Sequence, residues 1–337
     1  MNQPLEALKI SVVVPVKNAS KTIGDCLDAI YANNNADFEV VVVDDGCTDN
    51  TMDIVSKYEC PVLKNNVRSG VSGARNTGAF ASKADVLVFI DADIVVPKNA
   101  LSRILEKIQY TGIDAVVGML SENIKFTNFS SQYKNLWMHY TFNNLPSSIS
   151  LIFSSMAAIK RDIFLKFGGF DTNYRFPNVE DNELGIRLRE SGHNIILDKT
   201  LQVEHLKKYT FLGLLKTHFF RTKGLKKLYS RKKIIGSSKN NPSSVPNVYL
   251  FNIPLTIALI CLLISLPLGG HLSLKLTIAL FLLLLFILIN YNWLNFLNKK
   301  RGIFFAFESL FYLPIEFIVI LFGLAVGLIE YFMGRRY

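Results

Sequence analysis

Val86-Leu87-Val88-Phe89-Ile90-Asp91-Ala92-Asp93 is the stretch whose reading decides the fold. Five apolar residues in succession are too few for a helix buried all round, and they fit a strand covered on both faces, as in a parallel sheet. The run stops at two carboxylates spaced i, i+2. In open α/β sheets ligands bind at the carboxyl ends of such strands. Two acids placed there repel each other unless a cation lies between them, and a hard divalent ion that also grips phosphate is the economical partner.

Working outward, Ile10-Ser11-Val12-Val13-Val14-Pro15 is a β-branched run stopped by proline, and Phe38-Glu39-Val40-Val41-Val42-Val43 is a second strand ending at Asp44-Asp45-Gly46. Between them Ile23, Cys26, Leu27 and Ile30 share one helical face. Thr48 to Thr51 offers N-caps for a helix over residues 52–58, Pro61-Val62-Leu63 is a short strand, and a Gly/Ala/Ser-rich helix opens at Gly70. Strands alternating with helices predict a mainly parallel α/β sheet with right-handed crossovers. Three strand ends therefore carry polar groups to one edge: Pro15 to Asn18, Asp44-Asp45 and Asp91-Asp93. Acids on the first two strands suit a base or ribose, the third pair suits a metal on a diphosphate, and Arg75 at the glycine-rich helix start suits phosphate charge. Asp44 and Asp45 also read as plain capping residues. Gly70-Val71-Ser72-Gly73 is neither a Walker loop nor GxGxxG.

The 337 residues are half hydrophobic, and that half is unevenly distributed. Apolar residues are interrupted every few positions up to about Tyr249 and form long blocks from there on. The formal charge of +10 is equally localised: residues 206–240 hold eleven Lys and Arg and no Asp or Glu. Basicity confined to one juxtamembrane segment argues against a nucleic-acid surface and for anionic lipid headgroups, at about 1 kcal/mol per Lys or Arg. The four cysteines show no metal or disulfide spacing, which points to a reducing compartment. Residues 1–8 lack a signal-peptide core, which places the first domain on the cytoplasmic side of a multi-pass cell-membrane protein. Nothing in the pattern speaks to oligomeric state.

In order and spacing, Val13-Val14-Pro15-Val16-Lys17-Asn18, Val43-Asp44-Asp45-Gly46-Cys47-Thr48-Asp49, Gly73-Ala74-Arg75-Asn76-Thr77-Gly78 and Asp91-Ala92-Asp93 resemble the signatures of family 2 glycosyltransferases. The resemblance covers about residues 9–225. It implies a GT-A (Rossmann-like) fold, a nucleotide-sugar donor, a divalent metal (Mg2+ or Mn2+) and inversion at the transferred sugar. By the same resemblance Pro15, Asp45, Arg75 and Asp91 fall on the donor, with Asp45 at the nucleobase and Asp91 near ribose and sugar. Asp93 is the metal ligand, and Cys47 replaces the usual serine. Phe167-Gly168-Gly169-Phe170-Asp171 is similar to the acceptor-side loop. Glu180-Asp181 looks like the family's Glu-Asp element, in which Asp181 is the general base and Glu180 orients its neighbours on the acceptor side. His205 matches a histidine that completes the metal or diphosphate site, and imidazole suits manganese better than magnesium. The helix dipole at the start of that segment favours an ionised Asp181. Arg187 and Glu183 form an i, i+4 pair of structural character, and His193 reads as surface.

Residues 1–205 are thus expected as the catalytic domain. Residues 206–247 follow as a basic amphipathic segment and linker, and residues 248–337 as a membrane region. Leu212, Leu215, Phe219 and Leu225 near helical spacing, with lysines opposite, describe a helix in the headgroup plane. Residues 248–267 and 272–293 each match a ~30 Å hydrocarbon core, and Lys299-Lys300-Arg301 keeps the following loop cytoplasmic. Residues 303–333 are broken by Glu308, Pro314 and Glu316; three spans are favoured, with an in-plane or re-entrant last piece as the alternative. Processive members of the family carry Gln-x-x-Arg-Trp near this point. Here the chain has His218-Phe219-Phe220-Arg221-Thr222, which favours transfer of one sugar to a lipid or lipid-linked acceptor hydroxyl. Rival readings are a polyprenyl-phosphate transferase, a processive synthase, and a non-catalytic subunit that binds nucleotide sugar.

Overall fold

The computed structural model describes residues 8–65, 70–110, 112–174, 178–232, 248–267 and 270–337. The expected linker over residues 236–247, the basic residues Lys233 and Lys239, and the first seven residues lie outside these. The elements of the sheet half run β1 (Ile10–Val16), α1 (Ile23–Tyr31), β2 (Phe38–Asp44), α2 (Thr51–Val55), β3 (Val62–Lys64), α3 (Val71–Ala81), β4 (Val86–Ile90), β5 (Ile94–Val95), α4 (Ala100–Gln109), β6 (Ala115–Leu120), α5 (Phe129–Asn143), β7 (Ser148–Ile149), β8 (Met156–Lys160), α6 (Arg161–Lys166), α7 (Glu180–Glu190) and β9 (Ile195–His205). The helical half is α8 (Phe211–Arg231), α9 (Val248–Ser265), α10 (Leu272–Ile289), α11 (Tyr291–Arg301) and α12 (Ile303–Phe332).

The strands order as β3-β2-β1-β4-β8-β6-β9-β5, with β7 on β9. β1, β2, β3 and β4 are mutually parallel, and β8 runs antiparallel between β4 and β6. Every residue of β1 and β4 is buried, as unbroken apolar strands require when helices cover both faces. The β1–β4 pairing ends at Val13↔Phe89, so Pro15 lies beyond the last pair and its missing amide hydrogen costs no ladder bond on that side. Gly78 lets α3 settle onto β1 and β2: a Cβ there would meet Val13 Cγ1 at 2.5 Å and Val43 Cγ2 at 3.0 Å. The last residues of β1, β2 and β4 share one edge, and the antiparallel pair Ile90↔Met156 brings the start of β8 to the same place.

α9, α10 and α12 are long and apolar enough to cross a membrane. α9 and α10 form an antiparallel hairpin whose outer parts are largely exposed apolar surface. At its base Asn252 and Asn290 exchange two side-chain hydrogen bonds of 3.0 and 2.8 Å, so these buried amides are mutually satisfied. Arg301, just after the hairpin, donates to Gln132 Oε1 and Glu122 O, and Lys300 pairs with Glu122. The hairpin therefore begins and ends on the side of the sheet domain.

α12 behaves differently. It runs parallel to α8 along its length: Phe211 meets Tyr312, Gly323 faces Phe219 and Thr222, Gly327 faces Lys223, and Lys223 and Lys227 pair with Glu330. Glycines at 323 and 327 permit this approach; a Cβ at Gly327 would lie 2.6 Å from Lys223 O. α12 is also continuous through Pro314. The basic helix expected in the headgroup plane is thus covered on one side by α12. Thr210 caps α8 by accepting from Gly213 N.

Candidate active site

Asp91 follows β4 directly, and the sheet surrounds it with donors. Ser155, one residue before the Ile90↔Met156 pair, donates from Oγ to Asp91 Oδ2 at 2.6 Å. Arg75 on α3 donates from Nη2 to Asp91 Oδ1 at 2.7 Å and from Nη1 to Glu180 Oε1 at 2.9 Å. Its guanidinium is buried and also lies over the Phe170 ring. Arg75 is therefore not held in reserve for phosphate, as the sequence suggested: two carboxylates already use its charge, since a buried guanidinium without them would be too costly. It ties the start of α7 to the end of β4.

Asp93 is left with its carboxylate toward the cleft. The pairing Ile94↔His205 between β5 and β9 sets His205 beside it, with Nε2 3.3 Å from Asp93 Oδ2. Leu206 N donates to Asp93 O at 2.8 Å and pins the crossing. Burial raises the Asp93 pKa, but the hydrogen bond and charge of His205 and the charge of Lys207 outweigh it, so the net shift is downward and the carboxylate stays ionised. One oxygen and one imidazole nitrogen facing a cleft fit a divalent metal that takes its remaining ligands from substrate phosphate and water. Among the described residues no cluster of three or more His, Cys, Asp or Glu is placed to cage a metal.

Glu180 and Asp181 open α7. Glu180 is spent on Arg75 and on Asn178 N, which donates to its Oε2 at 2.7 Å, consistent with an orienting part. Asp181 Oδ1 accepts from Asn182 N at 2.7 Å. Burial, then the charge of Glu180, push its carboxyl up to about 7 against the pull of Arg221 and Arg75. The helix dipole was expected to keep it ionised; desolvation and a neighbouring acid win instead, which gives a carboxyl poised near neutrality.

A cleft of about 1030 Å³ unites these groups, the size range of a small-molecule site. Pro15, Arg75, Asp91 and Asp93 line it, as do Glu180, Asp181 and His205. Asp45 does not. Its Oδ1 accepts from Asn65 Nδ2 at 2.6 Å and Gly70 N at 2.9 Å, and Lys17, itself a lining residue, lies 3.5 Å from Oδ2. Asp45 sits behind the rim and holds the start of α3. Asp44 proves to be a turn residue, accepting from Gly46 N and Cys47 N, while Cys47 Sγ fits beneath Asn18 N. Gly169 also stays out of the cleft: its φ is +72° and a Cβ would collide with Asn76, so it is needed for packing under Phe170. Arg187 holds that loop, donating to Phe167 O and Gly169 O as well as to Glu183. His193, read as surface, is partly buried with Nδ1 3.1 Å from Asp114 Oδ2.

The cleft has a second wall that sequence reasoning largely missed. Lys134 and Asn135 reach it from α5, Thr217 and Arg221 from α8, and Lys207 and Tyr209 from the chain between β9 and α8. Arg221 stands in the His218-Phe219-Phe220-Arg221 stretch already singled out. Lys134 had no signal at all, because α5 is buried on nearly every side and shows no amphipathic pattern.

Residues 11–168 match the family model described as Glycosyl transferase family 2. An uncharacterized glycosyltransferase of Haemophilus influenzae is 26% identical over 193 residues, 53% of this chain and 61% of that protein. A Pyrococcus furiosus protein named dolichol-phosphate mannosyltransferase is 27% identical over 206 residues, 59% of this chain and 54% of that protein. Glycosyltransferase GlyG of Streptococcus pneumoniae is 27% identical over 137 residues, 39% and 44% of the two chains. The chain thus spans about half the length of the curated relatives it matches. Among solved structures, the mannosyltransferase PcManGT from Pyrobaculum calidifontis, in complex with GDP-Man and Mn2+, superposes with a TM-score of 0.67 at 17% identity, over 98% of this chain and 88% of the other. That likeness is one of fold, and it extends through the C-terminal helices. Residues 11–168, a little under half of the chain, thus carry the match to glycosyl transferase family 2, and the fold is that of a GT-A domain followed by three helices long and apolar enough to cross a membrane.

Proposed function

We propose that this protein is an inverting glycosyltransferase that moves a single sugar from a nucleotide-sugar donor to a hydroxyl of a lipid or lipid-linked acceptor at the cytoplasmic leaflet. The observation that carries this reading is that Asp181 and the Asp93–His205 pair open into one cleft whose far wall is built by α5 and α8, the helices on which α12 rests. The name of the Pyrococcus relative, dolichol-phosphate mannosyltransferase, supports the lipid side of it.

The chemistry is one in-line displacement. The acceptor oxygen bonds to the anomeric carbon, the bond from that carbon to the nucleoside diphosphate breaks, and the hydroxyl proton passes to Asp181. A carboxyl shifted toward neutrality is a stronger base than an ordinary aspartate once deprotonated. Asp93 and His205 would hold a divalent metal, Mg2+ or Mn2+, which when bound stabilises the departing diphosphate. Asp91, saturated by Arg75 and Ser155, shapes the donor side and leaves the metal to Asp93.

Packing supports the following membrane placement. α9 and α10 cross as a hairpin, and α12 lies with α8 along the cytoplasmic surface, the in-plane alternative of the sequence. Carrying α12 across would draw Lys223, Lys227 and their partner Glu330 into hydrocarbon. A screen of nucleotide sugars for metal-dependent binding and hydrolysis by the full chain tests the donor reading; absence of metal-dependent binding of any of them overturns it.

A further inference from the structure

The cleft holds a cation with no anion of its own. Lys134 is 6% exposed, lies on the α5 wall, and makes no hydrogen bond or ion pair among the described residues; its ammonium rests 4.5 Å over the Trp137 ring. Glu316, whose charge reaches it, spends its oxygens elsewhere: Oε2 accepts from Tyr133 Oη at 2.5 Å, and Oε1 accepts from Tyr249 Oη at 3.3 Å and lies 3.5 Å from His218 Nδ1. A second cation, Arg221, lines the same wall, and Lys207 adds its charge. Burial and the charge of Arg221 push the lysine down to about 7, the mark of a site waiting for a counter-charge. An isolated buried ammonium is costly, and the Trp137 ring and the charge of Glu316 offset only part of that cost.

The position of this wall identifies the anion's source. Trp137, which carries the ammonium on its ring, donates to Tyr249 of α9 at 2.6 Å and packs edge-on against His218 of α8. Lys134 therefore sits where the cleft meets the base of the apolar hairpin. We propose that Lys134, with Arg221, forms a phosphate subsite for the acceptor, so that the lipid-linked acceptor whose hydroxyl reacts also bears a phosphate or diphosphate. This rests on the glycosyltransferase reading and adds the acceptor's chemical class to it. A lipid phosphate and the phosphate of a lipid-linked saccharide share that chemistry, and so does the donor's diphosphate, which the test must separate.

The experiment compares full-length wild type, Lys134→Met and Lys134→Arg. Equilibrium binding is measured for farnesyl phosphate, for farnesol, and for GDP and UDP with Mn2+. Wild type should prefer farnesyl phosphate to farnesol, Lys134→Met should lose about tenfold of that preference, the size of one charge-assisted hydrogen bond, and Lys134→Arg should keep most of it. Nucleoside diphosphate affinity should stay within about twofold in all three, and Lys134→Met, freed of a buried unpaired charge, should melt no lower than wild type. Loss of nucleoside diphosphate binding with farnesyl phosphate unaffected assigns the cation to the donor and overturns the proposal. Unchanged binding of both ligands, or a lower melting temperature with both ligands lost, overturns it as well. Should wild type bind farnesyl phosphate in this way yet no nucleoside diphosphate, the transferase reading falls while the phosphate subsite stands.

Discussion

His205 Nε2 lies 3.3 Å from Asp93 Oδ2, although 112 residues separate them in the chain. The two-residue strand β5 pairs antiparallel with the end of β9, and that short ladder alone delivers the imidazole to the acid. If this pair holds the metal, Asp93→Asn should abolish Mn2+-dependent binding of the nucleoside diphosphate. His205→Ala should weaken it by about tenfold or more, in the range seen when metal sites lose a supporting group. Calorimetric titration with and without EDTA measures both, and metal-independent binding of equal strength in the variants would remove the assignment.

Asp181→Asn should leave donor binding near wild type while transfer drops by about 10²- to 10⁴-fold, the usual contribution of a positioned base. In wild type, transfer should rise with pH through about 7 as the carboxyl gives up its proton. The stability consequence has the opposite sign to that of an ordinary salt-bridged aspartate. The folded form holds the proton up to about 7, whereas the free side chain releases it near 3.8. Over that interval the native state binds more protons, so Asp181 lowers stability as pH rises. Asp181→Asn should therefore lose less stability than wild type between pH 5 and 8, read by thermal melting at each pH.

Arg75 bridges Asp91 and Glu180 from a buried position. Arg75→Met removes the one group that neutralises both and should cost about 3–5 kcal/mol. Arg75→Lys should not rescue it, since a single ammonium cannot present two nitrogens to two carboxylates in a fixed fork. Chemical denaturation of the two variants measures this; equal midpoints for Arg75→Lys and wild type would show that the fork is dispensable.

With α12 lying along α8, both of its ends share the side of the catalytic domain. Single cysteines at the exposed positions Glu308 and Arg336 should then react from the same side of sealed vesicles as one at Ser102, while one at His271, at the far turn of the hairpin, reacts from the other. Reaction of Glu308→Cys and Arg336→Cys from opposite sides would make α12 a third crossing. Gly327→Leu should loosen the helix pair, because the added side chain has only Lys223 backbone to displace, and its effect is read as a lower melting temperature.

Much of the edge formed by the strand ends was legible from the chain alone. β1, β2 and β4 are unbroken apolar runs ended by Pro15, Asp44 and Asp91, and a doubly covered parallel strand has few other ways to be written. Asp91, Asp93, Glu180 and Asp181 stand out from short segments because each follows a strand or opens a helix. The basic segment and the apolar hairpin were equally plain, since charge and hydropathy act over whole turns rather than single contacts.

The partnerships needed the fold. That Arg75 belongs to carboxylates, that Asp45 and Gly169 support the cleft from behind, and that Asp181 is shifted toward neutrality all depend on burial and on charges brought from distant segments. Residue order does not encode these. Lys134 and the course of α12 are the clearest cases. A helix buried on all sides has no periodicity to read, and a long apolar helix has the same composition whether it faces lipid all round or leans on another helix. Order along the chain set the strands, their acids and the apolar blocks, because those are short-range properties. Which charges meet and which remain unpaired was decided only when the sheet and helices closed around one cleft.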